Sequence, residues 1–447
     1  MNNEKKAFGL WSAVFLGIGS MVGAGIFIVI GQAGSIAGNL VWVSFIFGGS
    51  AAMLSGYSLA KLAITYPSRG GMVEYLVQGY GEGVFSGSAG VLFYFSQLIA
   101  IAAVAKSFGA YAVTLMPLDA MWKDIFALGI VLTFILINLI GASLVAKLEN
   151  IIVIIKLSVL VFFSMVALFY IDPKLLSVAD MPPLKDMFFA VGLTFFAYQG
   201  FSVITNTVED MDDPKKNMMR SMLIALGLVG LLYVITSVAV LGNLPLDKVI
   251  EAKDYALAEA AQPIFGNLGF KIMALTALLA TASAINATLY ATTEIGYTLA
   301  KEGNLPSVYT YNIHSSYSGL IISGLLIIPM ILFLNLSQVT TIAALVVLII
   351  QGLTHIGHLF RIKETGASFI LILGAIVSMF GIAGLTLYYT SKHDMPMIGM
   401  YILSAFALAF VVEVGLRLIT KRVISAQTNK TLLKKLEDKL EHIIGEK

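Results

Sequence analysis

Lys156 lies in Ile151-Ile152-Val153-Ile154-Ile155-Lys156-Leu157-Ser158-Val159-Leu160, an apolar run with no acid nearby. An ionised lysine inside a membrane span costs about 2.5 to 3.5 kcal/mol, and burial favours its neutral form, so such an amine can gain and lose a proton. The competing reading is a fixed or snorkelling structural charge. Two glycine-rich interruptions supply a second kind of chemistry. Gly19-Ser20-Met21-Val22-Gly23-Ala24-Gly25-Ile26-Phe27 divides the first long hydrophobic stretch, and Phe196-Ala197-Tyr198-Gln199-Gly200-Phe201-Ser202 divides the sixth. A helix broken at mid-depth frees backbone groups. The N–H groups of Gly23, Ala24 and Gly25, flanked by Val22 and Ile26, suit a carboxylate at a helix start, where the dipole assists. The carbonyls near Phe196, Ala197 and Tyr198 suit an ammonium, with Gly200 permitting close approach. Together they match a small zwitterion. Phe195 and Phe201, beside Phe196 and Tyr198, are candidates for a gate, against the alternative of ordinary aromatic contacts. For the glycines alone, close helix contact is the competing explanation.

The elements that must hold these groups are membrane helices. Of the 447 residues, 58% are hydrophobic and 12% charged, which suits lipid. About twelve runs are long enough to cross a hydrocarbon core of about 30 Å. They lie near residues 10 to 36, 40 to 64, 86 to 115, 124 to 143, 149 to 171, 187 to 207, 218 to 242, 268 to 298, 318 to 335, 338 to 360, 368 to 390 and 397 to 419. Lys61, Arg69, Lys147, Lys215, Lys216, Arg220, Lys301, Arg361 and Lys363 fall in alternate loops, which the positive-inside rule makes cytoplasmic. Both termini then face the cytoplasm. Five spans per unit is an odd number, so a second unit runs inverted, and the breaks fall in spans one and six. The sequence therefore predicts a first repeat at 8–171, an inverted second at 185–363, two additional spans at 364–420 and an amphipathic cytoplasmic tail at 421–447. Between spans seven and eight, Pro245 to Gly266 is expected to form a short outer helical element.

The remaining polar residues are assigned lesser roles. Lys106 is expected to snorkel to the outer surface. Glu209 and Glu294 lie near cytoplasmic helix ends, where solvation or an inner gate are the two readings, and Glu413 lies outside the repeat. His355 and His358 share a helix face but lack a third ligand, so they read as an interfacial polar end rather than a metal site. With a net charge of +2 and no basic block with interleaved aromatics, the chain shows no nucleic-acid signature. Cysteine is absent, which excludes disulfides and thiol chemistry.

Several motifs carry a family likeness. Gly19 to Phe27, Tyr66-Pro67-Ser68-Arg69-Gly70-Gly71, Asn138-Leu139-Ile140-Gly141, Glu209 with Asp213-Pro214-Lys215-Lys216-Asn217, Ser283-Ala284-Ile285-Asn286-Ala287-Thr288 and Ala300-Lys301-Glu302-Gly303-Asn304-Leu305-Pro306 together resemble the amino acid, polyamine and organocation (APC) transporters. The likeness covers roughly residues 8 to 420, and Phe195-Phe196-Ala197-Tyr198 and Gly242-Asn243-Leu244-Pro245 point to an archaeal branch of that family. It implies an all-α membrane fold of the LeuT type, a 5+5 inverted repeat with discontinuous helices 1 and 6. It also implies coupling to protons rather than sodium. In that pattern Lys156 occupies the place of a sodium ion, with the Gly19 carbonyl and the region of Ser283 as acceptors.

The resulting expectation is a secondary active transporter in the plasma membrane, carrying neutral amino acids by alternating access and driven by protons, with no other cofactor. Neutral substrates are favoured because no Asp or Glu lies in either break and Ser202 stands where some cation-carrying relatives have an acid. The alternative in the same class is a sodium-independent exchanger with Lys156 as a structural charge. A membrane amino acid sensor is the alternative from another class. A channel would need a continuous polar lining, and an enzyme a nucleophile-base pair or metal cluster, neither of which the spans provide. Partners are the amino acid and the bilayer, with a homo-oligomer through the last helices or the tail left open.

Overall fold

The computed structural model describes residues 9–23, 25–68, 70–116, 118–119, 121–141, 143–177, 183–393 and 395–419, with backbone alone for 143–150. Ala24, Arg69 and the tail expected at 421–447 lie outside the described residues. The chain opens with α1 (Leu10–Met21) and α2 (Gly25–Ala37), followed by α3 (Val41–Thr65), α4 (Met72–Tyr80), α5 (Val84–Thr114), α6 (Trp122–Ile140) and α7 (Ser143–Ala167). Next come α8 (Leu184–Phe189), α9 (Val191–Ala197), a 3-10 helix (Phe201–Thr207), α10 (Pro214–Leu241), α11 (Leu246–Glu251) and α12 (Ala256–Lys301). A hairpin of β1 (Asn312–Ile313) and β2 (Ser316–Tyr317) precedes α13 (Ser318–Phe333), α14 (Leu336–Phe360), α15 (Ile362–Thr365), α16 (Phe369–Lys392) and α17 (Ile398–Ile419).

Local chemistry explains several boundaries. α10 begins where Asp213, at φ 42°, turns the chain into Pro214, whose fixed φ and missing N–H suit a first helical position. α14 begins on a reciprocal cap, the Asn335 and Gln338 side chains each accepting the other's backbone N–H at 2.9 Å.

This is an all-α, multi-pass membrane fold. Among the described residues, ten helical stretches are long and apolar enough to cross a membrane, and α1 and α13 are apolar but shorter. The count differs from the expected twelve for a geometric reason. Span one is divided by its break, and α13, with 16 residues, rises only about 24 Å at 1.5 Å per residue. The helical element expected between spans seven and eight, from Pro245 to Gly266, is present with those bounds. It consists of α11 and the first part of α12, which contains Pro263 and is separated from the rest of α12 by a kink at Gly266, whose backbone is non-helical at φ 66°.

Burial separates centre from periphery. In the most apolar window of α14, 83% of residues are buried inside the protein, against 22% in those of α6 and α17. The central helices surround the two interruptions: α1 lies along α10 and the 3-10 helix, while α2 and α3 both lie against α9.

Candidate functional site

The first break is short. α1 ends at Met21, and Val22 leaves the helix at ψ 33° while its N–H still reaches the Ile18 carbonyl at 2.9 Å. Helix resumes at Gly25. At the second break, Tyr198 and Gln199 bond back to the carbonyls of Phe195 and Phe196 at 3.0 Å. Gly200, at φ 112°, then turns the chain into the 3-10 helix, a conformation that only glycine adopts without strain.

The two breaks touch each other. A Cβ on Gly25 would collide with the carbonyl of Ala197, and one on Gly200 would come 2.5 Å from Ser20 Oγ. Both glycines are therefore required by close backbone approach. Val22, Gly23, Gly25, Ile26, Phe195, Phe196, Ala197, Tyr198 and Phe201 are all buried, and Gly200 and Ser202 are half-buried. The structure brings these expected residues to one locus, with Ala24 outside the described residues.

Tyr233 of α10 joins the two interruptions directly. Its hydroxyl lies 2.8 Å from the Met21 carbonyl and 3.1 Å from the Ala197 carbonyl. A phenol has one proton, so the two carbonyls share a single donor. Tyr198 packs beside Tyr233 and donates to the Phe45 carbonyl of α3 at 2.9 Å. Of the carbonyls expected to be free, that of Phe196 thus accepts from Gln199 and that of Ala197 from Tyr233, each keeping a second lone pair.

Lys156 lies one turn below the first break. It is 1% exposed, and its Nζ donates to the Gly19 carbonyl at 2.9 Å. Gly19 has no side chain, and a Cβ there would press on Val153 of the same α7 at 3.1 Å, so the glycine lets α7 come close to α1. Ser283 is buried on α12.

These features bring the two breaks and Lys156 close together, and comparison with known proteins gives the family of the chain. The family model described as "Amino acid permease" matches residues 8–414. The chain belongs to the amino acid permease family. The permease is 35% identical over 421 residues to the inner membrane transport protein YbaT of Escherichia coli K12, covering 93% of this chain and 97% of the relative. It is 33% identical over 430 residues to an uncharacterised protein of Methanocaldococcus jannaschii, covering 95% and 98%. A methylthioribose transporter of Bacillus subtilis is 27% identical over 322 residues, covering 68% of each chain. Membership in this family makes the permease a membrane transporter and not an enzyme. Among the described residues no group of three or more His, Asp or Glu side chains is placed to hold a metal ion.

Other polar residues depart from the sequence reading. Lys106 does not snorkel: it is 9% exposed, with Nζ 2.6 Å from Asp124 Oδ1 on α6 and 2.5 Å from the Ile331 carbonyl of α13. The helix C-terminus of α13 provides a carbonyl without an intrahelical partner, which a cation satisfies. His355 and His358 are fully buried instead of interfacial. Glu413 is buried against Gly87 of α5 and paired with Arg417 one turn on. Sequence reasoning missed Tyr233 altogether. One tyrosine in an apolar run has no spacing signature, and its importance comes only from the two carbonyls that tertiary structure brings to it.

Proposed function

We infer that this permease carries neutral amino acids into the cell by alternating access, driven by protons, with Lys156 as the coupling group and the paired breaks as the substrate site. The observation that carries the reading is the bond from a buried lysine to the Gly19 carbonyl, at the base of the broken helix. Protonated, the amine ties α7 to α1. Neutral, it loses its positive charge and one of its three N–H donors, so its hold on the Gly19 carbonyl weakens and the half-helix below the break is released. No acid stands in either break, so a neutral side chain meets no unpaired counter-charge there. In this reading the carboxylate sits at the N-terminus of α2 near Gly23 to Ile26, the ammonium near Phe196 to Tyr198, and Phe195 and Phe201 form the gate.

The architecture that goes with it is twelve spans of the LeuT type, with repeats at 8–171 and 185–363, additional spans at 364–420, and both termini at the cytoplasmic face of the plasma membrane. Supporting it is the position of the breaks, between α1 and α2 and after α9, at corresponding places in the two halves. The finer likeness is to ApcT, the archaeal proton-coupled transporter that Phe195 to Tyr198 and Gly242 to Pro245 resemble. An exchanger with Lys156 as a fixed charge is the second reading, favoured by one relative, which is named a serine/threonine exchanger and is 24% identical over 311 residues.

Uptake of a labelled amino acid panel into proteoliposomes, with and without an inward proton gradient, separates the two. Proton coupling requires that the gradient drives accumulation and that Lys156→Ala abolishes this response. If transport needs only amino acid on the far side and ignores the gradient in both proteins, the permease is an exchanger.

A further inference from the structure

His355 and His358 on α14 take no part in the break or in the Lys156 contact, yet every one of their ring nitrogens faces a hydroxyl. His355 Nε2 is 2.9 Å from Ser55 Oγ and its Nδ1 2.8 Å from Ser58 Oγ, both on α3. His358 Nδ1 lies 2.7 Å from the same Ser58 Oγ, and its Nε2 lies 2.9 Å from Thr365 Oγ1. At the inner end Ser55 donates to Gln351 Oε1 at 2.7 Å, and at the other end Thr365 Oγ1 reaches the Ile362 carbonyl at 3.2 Å. The result is one unbranched chain: Gln351 Oε1, Ser55, His355, Ser58, His358, Thr365, Ile362 carbonyl.

Proton counting decides what this chain can hold. It has six links, each needing one proton, and it terminates in an acceptor at both ends. Three hydroxyls bring three protons and two neutral imidazoles bring two. The chain is one proton short. A proton added to His358 completes it: His358 then donates both to Thr365 and to Ser58, Ser58 to His355, and His355 to Ser55. A proton added to His355 completes it equally well, with Ser58 donating the other way. The two forms interconvert by moving protons through Ser58 alone.

We propose that His355 and His358 together form a binding site for a single proton, shared through Ser58 and separate from Lys156. It lies in the seam between α3, which lies along α10 and α9, and α14, which lies along α16 and α5. Occupancy fills the one link left without a proton, and four of the six links cross between α3 and α14, so it strengthens that seam. Among the neighbouring ionisable groups, the charge of Lys61 bears on His358. On α3, Lys61 donates to the Gly366 carbonyl at 3.3 Å, Tyr57 accepts from the Ser368 N–H, and Tyr66 donates to Glu364, its hydroxyl pushed up to about 12 by burial and then by that carboxylate. At the corner after α14, Arg361 bonds the Gln78 carbonyl and Glu364, and Lys363 follows it. On α4, Glu74 accepts from Gln78 and Tyr80 donates to the Leu353 carbonyl, with Tyr75 buried beside them. α17 contributes the Glu413–Arg417 pair, α9 contributes Tyr198, α5 contributes Tyr94 and the distant Lys106, and α16 contributes Tyr388, Tyr389 and Lys392 toward its far end. Among the described residues no carboxylate bonds either ring, so the charged imidazole is held by hydroxyls.

Solid-state nitrogen NMR on the full-length protein in lipid, labelled at histidine, reads this directly, because ring nitrogens report tautomer and protonation separately. The chain contains five histidines, so His355→Gln and His358→Gln assign the two signals. Between about pH 8 and about pH 4, spanning the imidazole range, both rings are expected to shift together and to take up one proton in total. Ser58→Ala is expected to uncouple them. Two rings that stay neutral throughout overturn the proposal, since the Gln351 amide turned over would then supply the sixth proton. So do two rings that titrate independently with Ser58 present. If the histidine variants fail to fold, Ser58→Ala against the native protein still gives the decisive comparison. Lys156→Ala is expected to leave both signals unchanged, so loss of the coupling reading and loss of this one are separate outcomes.

Discussion

Gly25 and Tyr233 carry the sharpest expectations among single residues. Gly25→Ala puts a methyl group into the Ala197 carbonyl, and overpacking of this kind costs about 1 to 3 kcal/mol. Uptake in proteoliposomes should fall by at least about tenfold, with the protein still monodisperse in detergent. Unchanged uptake would show that the two breaks need not touch during transport. Tyr233→Phe keeps the ring and removes only the donor shared by Met21 and Ala197. A neutral hydrogen bond contributes about 0.5 to 1.5 kcal/mol, so KM should change by up to about tenfold. A KM within error of the native value would make the hydroxyl dispensable. The sequence announced Lys156 and the glycines because an amine and a cluster of glycines are anomalous in apolar runs. Tyr233, Ser55 and Ser58 are ordinary residues for a membrane helix, and only their partners, between 36 and 300 positions away, make them notable.

Helix ends and bends give expectations of another kind, because here the backbone carries the strain. Gly200 holds φ 112° against Ser20, and a side chain forced into such a conformation costs about 1 to 3 kcal/mol. Gly200→Ala should therefore lower the melting temperature in detergent and impair transport. Gly381→Ala, in the middle of α16 with nothing near its would-be Cβ, is the control: helix propensity predicts a stability gain of up to about 1 kcal/mol. Equal behaviour of the two variants would refute the backbone argument. Element existence was legible from hydropathy, and so was the interruption at Gly266. A glycine following Pro263 marks an irregularity, and the helix breaks there, with Gly266 in a non-helical conformation between its two parts.

Across the molecule, the charged residues inside the bundle hold helices together in groups. Lys106 connects α5, α6 and α13, and the Glu413–Arg417 pair packs α17 against Gly87 of α5. Removing one member of a buried pair leaves the other uncompensated, at about 3 to 5 kcal/mol. Arg417→Met should accordingly destabilise the protein more than the double change Glu413→Gln with Arg417→Met, measured by thermal unfolding in detergent. Equal losses would mean that the pair is solvated. The sequence suggested no partner for Lys106, since Asp124 follows it by 18 positions and belongs to another helix.

The Tyr233 contact has a bearing on how this protein can change over time. It reaches residues 21 and 197 through their carbonyl oxygens, which every amino acid possesses. Substitutions at those two positions leave both acceptors in place, provided the chain path is kept. Mutational drift is thus filtered by shape and not by identity there, and a ranking of positions by residue type alone will underrate two of the atoms on which the junction depends.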